Sequence, residues 1–535
     1  MGTEVTINEL WDIVLRSSGL NVLCGAGVSM IAPTRMPSGN DLRDMCVTGL
    51  LSDNVSRKYL RGILKSSSYQ RLLPESVLQD IAAFTSDALD LLMVKILEGA
   101  RPNPVHHHLA ANYNNVFTTN FDLCLEKSGT REVIHLHGSI ARPSTLQNRV
   151  FRLAKTAEEE LRRFESDIKG KELLVLGYSL RDRDVAEAIT SARPARILYL
   201  SYDGVPPPFL LATTIPVAYA QGSAEELFGL KASVSRNHHL RKVKRVHARQ
   251  PSVARRAAAL LYLCFRAAKY EMSEAILSDY LPRLRGRGKY KAICSVADCL
   301  RIAGRYDDAV EWCRYVSRSK FANKPEQADL LSSAYVITGL CDLDRGKRNY
   351  DQIEDSFQRA LAATELFASL QTDDSQSAAI ENWKARILNN IGLLFEAKGD
   401  YERAILYFKK SLEIKEAHHE ERGYAQTMSN LSKVYLAKRD YGMATQALRI
   451  VVELMEKSPD VYICRDAILN LLQFLAEERK SLIKLSTIIP PISQHSRLWK
   501  RLEASAKSVG VGLVGVLDEV KRLNSTLLQI SPEEP

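Results

Sequence analysis

The hydrophobic pattern changes its period near Pro251, and this change restricts the fold more than any other feature of the sequence. Before Pro251, short apolar runs rich in β-branched residues alternate with stretches of helical spacing. After it, apolar residues recur at helical spacing and strand signals vanish. The sequence therefore predicts an α/β domain followed by an all-α domain.

The first half predicts a mostly parallel, Rossmann-like sheet with helices on both faces. Its expected strands are short apolar runs flanked by polar turns. They are Asn21–Cys24, Asn115–Thr119, Val133–Leu136, Leu173–Leu176 and Arg196–Leu200. Helices are expected over Asp41–Leu64, Leu78–Glu98 and Ala157–Lys169. Strands separated by helices are typical of a parallel sheet, because its strands need crossover connections.

The second half repeats a pattern of small and large residues. The residues with counterparts forty positions later are Leu388, Gly392, Phe395, Ala404 and Phe408, which match Met428, Ser432, Tyr435, Ala444 and Leu448. A small residue at a helix crossing lets two antiparallel helices approach closely, and large residues fill the space between neighbouring pairs. The pattern resembles the tetratricopeptide repeat, with a unit longer than the usual length of about 34 residues. The resemblance implies a solenoid whose concave surface binds a protein partner or trigger.

These patterns divide the chain into four predicted segments. They are the α/β domain 1–235, a basic linker 236–256, the repeat domain 257–480 and a helical cap or assembly segment 481–535. The formal net charge is +10, which could indicate an anionic partner. Aromatic residues for base stacking are absent from the basic segment, so we expect a solvated linker rather than a nucleic-acid site.

The sequence also predicts a cytoplasmic protein without metal. Met1–Leu10 lacks a basic start, and no apolar run reaches the roughly 18 residues of a membrane span. The nine cysteines show no Cys-x-x-Cys spacing, which is typical of reduced thiols and supplies no zinc site. The adjacent histidines His106–His108 point in different directions on a helix or strand, so they are not expected to share one ion.

Two polar motifs follow the first two predicted strands. Gly25-Ala26-Gly27-Val28-Ser29 comes directly after Cys24, and its glycines would let backbone N–H groups approach a pyrophosphate. Thr118-Thr119-Asn120-Phe121-Asp122 places an amide and a carboxylate at the strand end, where α/β sheets hold ligands. Each motif alone is equally typical of a tight turn or a helix cap.

Two further motifs follow later strands. His135-Leu136-His137-Gly138-Ser139 offers an imidazole that can exchange a proton near neutral pH. The stretch Gly177–Asp184 follows Leu176, and its Ser179 and Asp182 could hydrogen-bond ribose hydroxyls. A structural histidine and a Ser/Asp helix cap remain the alternatives for these motifs taken singly.

The four motifs in this order resemble the sirtuin family over residues 15–230, and in particular the bacterial sirtuin-like NADases of anti-phage defence. The resemblance implies that Asn120 positions the nicotinamide ribose and an attacking water. It implies that Asp122 binds the nicotinamide carboxamide and that His137 is the general base. The residues implied to contact NAD+ elsewhere are Gly25, Ala26, Gly27, Ser29, Thr119, Gly177, Ser179 and Asp182.

The chain departs from protein-deacylating sirtuins in two places. Those enzymes carry a four-cysteine zinc module after the catalytic histidine, whereas about 35 residues without cysteine separate His137 from the next predicted strand. In addition, Thr119 occupies the position of the glutamine in the family's Thr-Gln-Asn segment. A missing zinc module removes part of the framework for an acyl-lysine peptide, which favours hydrolysis of NAD+.

The resemblance therefore implies an NAD+ glycohydrolase used in abortive infection, and we expect its repeats or homo-oligomeric assembly to control it. NAD+ is the expected substrate, and no metal is expected. One alternative is a protein deacylase or ADP-ribosyltransferase whose repeats recruit the substrate. Another is a non-catalytic scaffold that only binds a nucleotide, although the joint presence of Asn120, Asp122 and His137 speaks against it.

Overall fold

A parallel sheet organises the first part of the chain. The computed structural model describes residues 2–454, apart from residues 71, 73, 86–87, 130–131, 142–154, 181–182, 203–205, 208–209, 211–212, 231–250, 372–373, 419, 441, 445, 448–449 and 452–453. The strands are β1 (Gly2–Glu4), β2 (Asn21–Cys24), β3 (Asn115–Thr118), β4 (Glu132–His135), β5 (Glu172–Leu176), β6 (Arg196–Ser201) and β7 (Val217–Gln221). They lie in the order β1-β7-β6-β5-β2-β3-β4, and every neighbouring pair is parallel.

Helices accompany this sheet along the chain. They are α1 (Ile7–Arg16), α2 (Ala26–Met30), α3 (Gly39–Leu50), α4 (Asn54–Leu64), α5 (Ser67–Gln70), α6 (Pro74–Thr85), α7 (Ala88–Leu97), α8 (Pro104–Asn112), α9 (Cys124–Lys127), α10 (Lys155–Ile168), α11 (Arg183–Ala192) and α12 (Ala224–Leu227). The predicted α/β fold class is confirmed.

Both faces of the sheet are buried because successive side chains of a strand point to opposite sides. On β2, Val22 and Cys24 pack into one hydrophobic core, and Leu23 packs into the other. On β5, Leu174 packs with Val22 in the first core, whereas Val175 packs with Leu23 in the second. A continuous apolar run such as that of β5 is therefore needed where helices cover a sheet on both sides.

Two local predictions need correction. The stretch predicted as helical over Asp41–Leu64 contains two helices, α3 and α4, with a break at Asp53. The Asp53 carboxylate accepts hydrogen bonds from the backbone N–H groups of Val55 and Ser56 at 3.1 and 3.2 Å, so it caps the start of α4. Leu78–Glu98 likewise contains parts of two helices, α6 and α7. In addition, strands β1 and β7 were not predicted.

In the second part of the chain, all the regular elements of the described residues are helices. Its α-helices are α13 (Val253–Arg266), α14 (Ser273–Tyr280), α15 (Gly286–Ile302), α16 (Tyr306–Ser317), α17 (Ala328–Asp344), α18 (Tyr350–Ser369), α19 (Asp374–Lys398), α20 (Tyr401–Ala417) and α21 (Glu421–Ala437). The chain separates into two compact units, with Ser67–Tyr69 and the residues from Leu260 onward in the second and the remainder in the first.

The repeat pattern is explained by close helix crossings. Gly392 of α19 lies against Phe408 of α20, and a Cβ atom at Gly392 would stand only 2.6 Å from the ring. Gly339 of α17 lies against Phe357 of α18 in the same way, at 2.8 Å. A small residue and a large aromatic residue thus share one crossing in each helix pair. The predicted solenoid class is confirmed.

Three predicted features lie wholly or partly outside the described residues. These are most of the basic linker, the end of the repeat domain beyond residue 454, and the segment 481–535. At the described end of the linker, Arg256 is buried and its Nε lies 3.1 Å from the Asp53 Oδ2. Among the helices that the structure describes, none combines the length and the apolar character needed to cross a bilayer.

Candidate functional site

All four polar motifs follow the carboxyl ends of adjacent strands in the order β5-β2-β3-β4. The chain passes from β2 to β3 and β4 on one side and returns to β5 on the other side of β2. Such a reversal of strand order opens a crevice at the carboxyl edge of a parallel sheet, where α/β proteins hold ligands. The fold thus brings the predicted motifs to one edge of the first unit.

The glycines of the first and fourth motifs let two turns touch through their backbones. A Cβ atom at Gly27 would lie 2.7 Å from the Gly177 Cα, and one at Gly25 would lie 2.6 Å from the Tyr178 Cβ. Gly177 has a φ of +59°, a conformation that favours glycine. The N–H groups of Gly25 and Gly27 donate to the carbonyl groups of Leu176 and Gly177, at 3.0 and 2.9 Å. These glycines therefore join the ends of β2 and β5.

Asn120 is fixed by bonds to both its backbone and its side chain. Its backbone N–H donates to the Thr118 Oγ1 at 3.0 Å. Its Nδ2 donates to the Gly25 carbonyl oxygen at 3.2 Å and to the Ser29 Oγ at 3.0 Å. A carbonyl oxygen can only accept, so these bonds set the orientation of the amide. The Oδ1 is then the side-chain atom with which Asn120 can accept a hydrogen bond from a water or a hydroxyl.

Ser29 connects the amide of Asn120 to the carboxylate of Asp122. The buried Ser29 hydroxyl donates to the Asp122 Oδ2 at 2.9 Å while it accepts from Asn120. The other carboxylate oxygen, Oδ1, accepts from the Cys124 N–H at 3.0 Å. The Ser29 side chain thereby holds together Asn120 and Asp122, the residues predicted to act on the ribose and on nicotinamide.

His106 completes this network, and sequence reasoning missed it. Its Nδ1 accepts from the Asn103 N–H at 3.1 Å, so a neutral ring carries its proton on Nε2. That Nε2 lies 3.2 Å from the Ser29 Oγ and donates to it. Asn103 caps α8 and also donates from its side chain to the Val28 carbonyl at 2.8 Å, which ties α8 to α2. The sequence signal that could have placed His106 is Asn103 followed by Pro104, because this pair is a typical start of a helix.

The protonation of His106 predicts a pH-dependent stability. Burial lowers the pKa of His106 from 6.5 to about 4, although the neighbouring Asp122 carboxylate acts in the opposite direction. Between these values the unfolded chain binds a proton that the folded chain does not bind. Above pH 6.5, His106 therefore does not lower the free energy of unfolding. As the pH drops toward 4, the free energy of unfolding falls by up to about 1.4 kcal/mol per pH unit.

The check compares the wild type with a His106→Gln variant at pH 7 and pH 5. Hydrogen exchange of peptides that cover β2 and β3 would report the free energy of opening at each pH. The wild type should lose more stability than the variant over this interval. An equal loss in both proteins would contradict the assignment of a neutral, buried His106.

His137 lies beside the carboxylate of Asp184, the last residue of the fourth motif. The His137 Nε2 is 3.5 Å from the Asp184 Oδ2, in the first turn of α11. Burial raises the pKa of Asp184, but the hydrogen bond and charge of His137, together with the Val185 N–H, outweigh it and leave the pKa below its ordinary value. The His137 side chain is 15% exposed, so the ring remains accessible while a carboxylate orients it. Gly138 follows with a φ of +87°.

A metal ion is a weaker interpretation of the buried cluster of His106, Asp122 and Cys124. The potential ligand atoms of these residues lie within 4.8 Å of one another. Burial and the Asp122 carboxylate raise the pKa of Cys124, so its sulfur is a thiol rather than the thiolate that metals bind. An ion would also displace the Ser29 hydroxyl from Asp122. The arrangement favours a hydrogen-bonded network.

The remaining predicted residues have different positions. Thr119 is half-buried, and its N–H donates to the Cys24 carbonyl at 3.1 Å. Ala26 and Ser179 are exposed, and Asp182 lies outside the described residues. Of the three adjacent histidines, His106 is buried in the network, His107 is exposed and His108 stacks on the Phe228 ring with a centroid distance of 4.2 Å.

The comparisons with protein families match both units. A SIR2-like domain matches residues 126–197, and a tetratricopeptide repeat matches residues 383–457. The first match contains His135, His137 and Asp184, and the second contains the crossing of Gly392 with Phe408. The chain thus joins a SIR2-like domain to tetratricopeptide repeats, as its sequence predicted. No curated protein matches it.

Two solved structures that resemble parts of the chain are distant from it in sequence. BtubC (BKLC) from P. vanneervenii is 19% identical over 39% of this chain and 84% of that chain, with a TM-score of 0.31. The apo form of RapI is 16% identical over 52% of this chain and 75% of that chain, with a TM-score of 0.32. TM-scores this low do not relate the chain to a particular structure or activity.

Proposed function

We propose that this chain, which joins a SIR2-like domain to tetratricopeptide repeats, hydrolyses NAD+ to nicotinamide and ADP-ribose. The observation that carries the proposal is the Ser29-centred network, which fixes the Asn120 amide and the Asp122 carboxylate beside the strand end of His137. An amide that orients water, a carboxylate and a partly accessible imidazole are the groups that cleavage of an N-glycosidic bond requires.

The proposed reaction follows from these groups. The bond between the nicotinamide nitrogen and the anomeric carbon breaks, and nicotinamide leaves with the bonding electron pair. Asp122 engages the carboxamide, and its negative charge stabilises the positive charge that develops on the ribose. A water bound to the Asn120 Oδ1 attacks the anomeric carbon. Its proton passes to His137, directly or through a ribose hydroxyl.

The dinucleotide phosphates would lie over the turn after β2. Because the N–H groups of Gly25 and Gly27 already donate to the carbonyl groups of Leu176 and Gly177, we assign the phosphate contact in this turn to the N–H of Ala26, an exposed residue. Ser29 acts in this proposal by holding Asn120 and Asp122, since its hydroxyl is buried and bonded to both. Thr119, Gly177, Ser179 and Asp182 remain proposed contacts of NAD+.

Hydrolysis is favoured over transfer to a protein because the zinc-binding framework is missing. No cysteine occurs between His137 and β5, so the module that supports an acyl-lysine peptide in deacylating sirtuins is absent from this stretch. The site does have a group, Asn120, that can bind water, so we infer that water is the acceptor of the ADP-ribosyl group. We place the enzyme in the cytoplasm and assign it to abortive infection, with activity restrained by assembly or by the repeats until a protein trigger binds them.

The test is the product spectrum of the purified full-length chain incubated with NAD+. Equal amounts of nicotinamide and ADP-ribose without an added protein are expected, with infected-cell extract supplied as a source of trigger. Product that forms only with an acylated or acceptor protein would support a deacylase or transferase instead. NAD+ that stays intact under every condition, while it still binds, would identify a nucleotide-binding scaffold.

A further inference from the structure

His135 lies on β4 two residues before His137, and it contacts the backbone of Asn120. Its Nδ1 is 2.7 Å from the Asn120 carbonyl oxygen, and its Nε2 is 2.7 Å from the Glu126 Oε1 of α9. The His135 side chain is only 7% exposed, whereas that of Glu126 is 37% exposed. The ring thus connects a catalytic residue on one side to a carboxylate near the surface on the other.

Both contacts of His135 are made to oxygens that accept hydrogen bonds. A backbone carbonyl and a carboxylate have no proton to give, so each short contact needs an N–H on the ring. A neutral imidazole has one N–H, and its other nitrogen would then face an oxygen lone pair at 2.7 Å. A ring with protons on both nitrogens satisfies both contacts.

The contact at the carbonyl complements the other bonds of Asn120. Thr118 holds the backbone N–H, while Gly25 and Ser29 hold the side-chain amide. The carbonyl belongs to the peptide that leads to Phe121 and Asp122. Rotation of this peptide would move the Asn120 amide and the Asp122 carboxylate relative to each other. His135 is therefore placed to keep both groups in one arrangement.

We propose that His135, protonated on both ring nitrogens, is a positioning residue that fixes the Asn120–Asp122 segment for the attack of water. Glu126 balances the charge of the ring, so that the pair does not oppose the positive charge that develops on the ribose. The role of the pair in catalysis rests on the proposed function, whereas the protonation state of the ring does not depend on it.

The first experiment reads the ring directly in the full-length protein. Nitrogen NMR of protein labelled with ¹⁵N-histidine at pH 7 should show one ring with both nitrogens protonated, and this signal should disappear in a His135→Phe variant. A Glu126→Gln variant lets the glutamine amide donate to Nε2, so its His135 should carry a proton on Nδ1 alone. A singly protonated His135 in the wild type would overturn the proposal.

The second experiment separates positioning from a general effect on folding. His135→Phe should lower kcat for NAD+ by roughly 10- to 100-fold with KM changed by less than about twofold, because misplaced groups slow the chemical step. Glu126→Gln should lower kcat less than His135→Phe, since the bond to the Asn120 carbonyl is kept. His107→Asn, a change at an exposed histidine, is the matched control.

Two results would contradict a positioning role. One is a kcat for His135→Phe that equals the kcat of the His107→Asn control. The other is a Glu126→Gln variant that loses as much activity as His135→Phe. If the wild type does not hydrolyse NAD+ but His135 is still doubly protonated, the proposed function fails while the assignment of the ring stands.

Discussion

Replacement of His137 with alanine should slow NAD+ hydrolysis by about 10²- to 10⁴-fold and leave the protein folded. This range is typical for loss of a positioned general base. The His137 ring is accessible and lies 3.5 Å from the Asp184 carboxylate, which can orient it and stabilise the proton that it takes up. The measurement is the rate of nicotinamide release under conditions in which the wild type turns over.

His107→Ala is the control for this prediction, because His107 is exposed on α8. It should retain the wild-type rate within about twofold, since surface changes away from a site are usually neutral. Comparable hydrogen exchange in the two variants would show that the sheet is intact. A His137→Ala variant as active as the control would remove His137 from the mechanism and would leave Asp184 without a catalytic partner.

Replacement of Gly177 with alanine should destabilise the first unit by about 2–5 kcal/mol. A left-handed alanine costs about 1–2 kcal/mol, and the φ of Gly177 is +59°. The new Cβ would also stand 2.6 Å from the backbone nitrogen of Val28. Because that neighbour is backbone, the turn after β2 must move, and overpacking of this kind costs about 1–3 kcal/mol.

Gly170→Ala separates the two contributions. Gly170 has a φ of +67°, but no heavy atom lies within 4 Å of its added Cβ. This variant should therefore lose only the conformational part, about 1–2 kcal/mol. Hydrogen exchange of peptides that cover β2 and β5 would measure both losses. Equal destabilisation in the two variants would mean that the turns after β2 and β5 are not in close contact.

The central strands could be predicted because each carries its signal locally. Leu173–Leu176 is a short, continuous apolar run that ends at a glycine, and this pattern needs no distant partner to be recognised. The edge strands differ. Gly2–Glu4 has three residues without a long apolar side chain, and its pairing with Val217–Gln221 joins opposite ends of the first unit. A short stretch of sequence does not reveal a pairing with a strand that lies so far away along the chain.

From the sequence it could be predicted that the four motifs meet at one edge of the sheet. The contacts among their residues could not be predicted. That Asn120 and Asp122 follow one strand and His137 follows its neighbour is implied by parallel strands alone. The link through Ser29 to His106 depends on the path of α8, which the sequence does not specify. The same holds for Gly25 and Gly27, whose packing against Gly177 becomes visible only when β5 lies next to β2.

The sheet order has a consequence for the cell that makes this protein. Strand β5 inserts beside β2, although about 150 residues separate the two strands in the chain. Until β5 has left the ribosome and docked, the turn at Gly25 lacks the Gly177 backbone against which it packs. His137 likewise lacks its contact with Asp184. The proposed NAD+ hydrolase would therefore lack a complete site during the early part of its own translation, until β5 has emerged and docked beside β2.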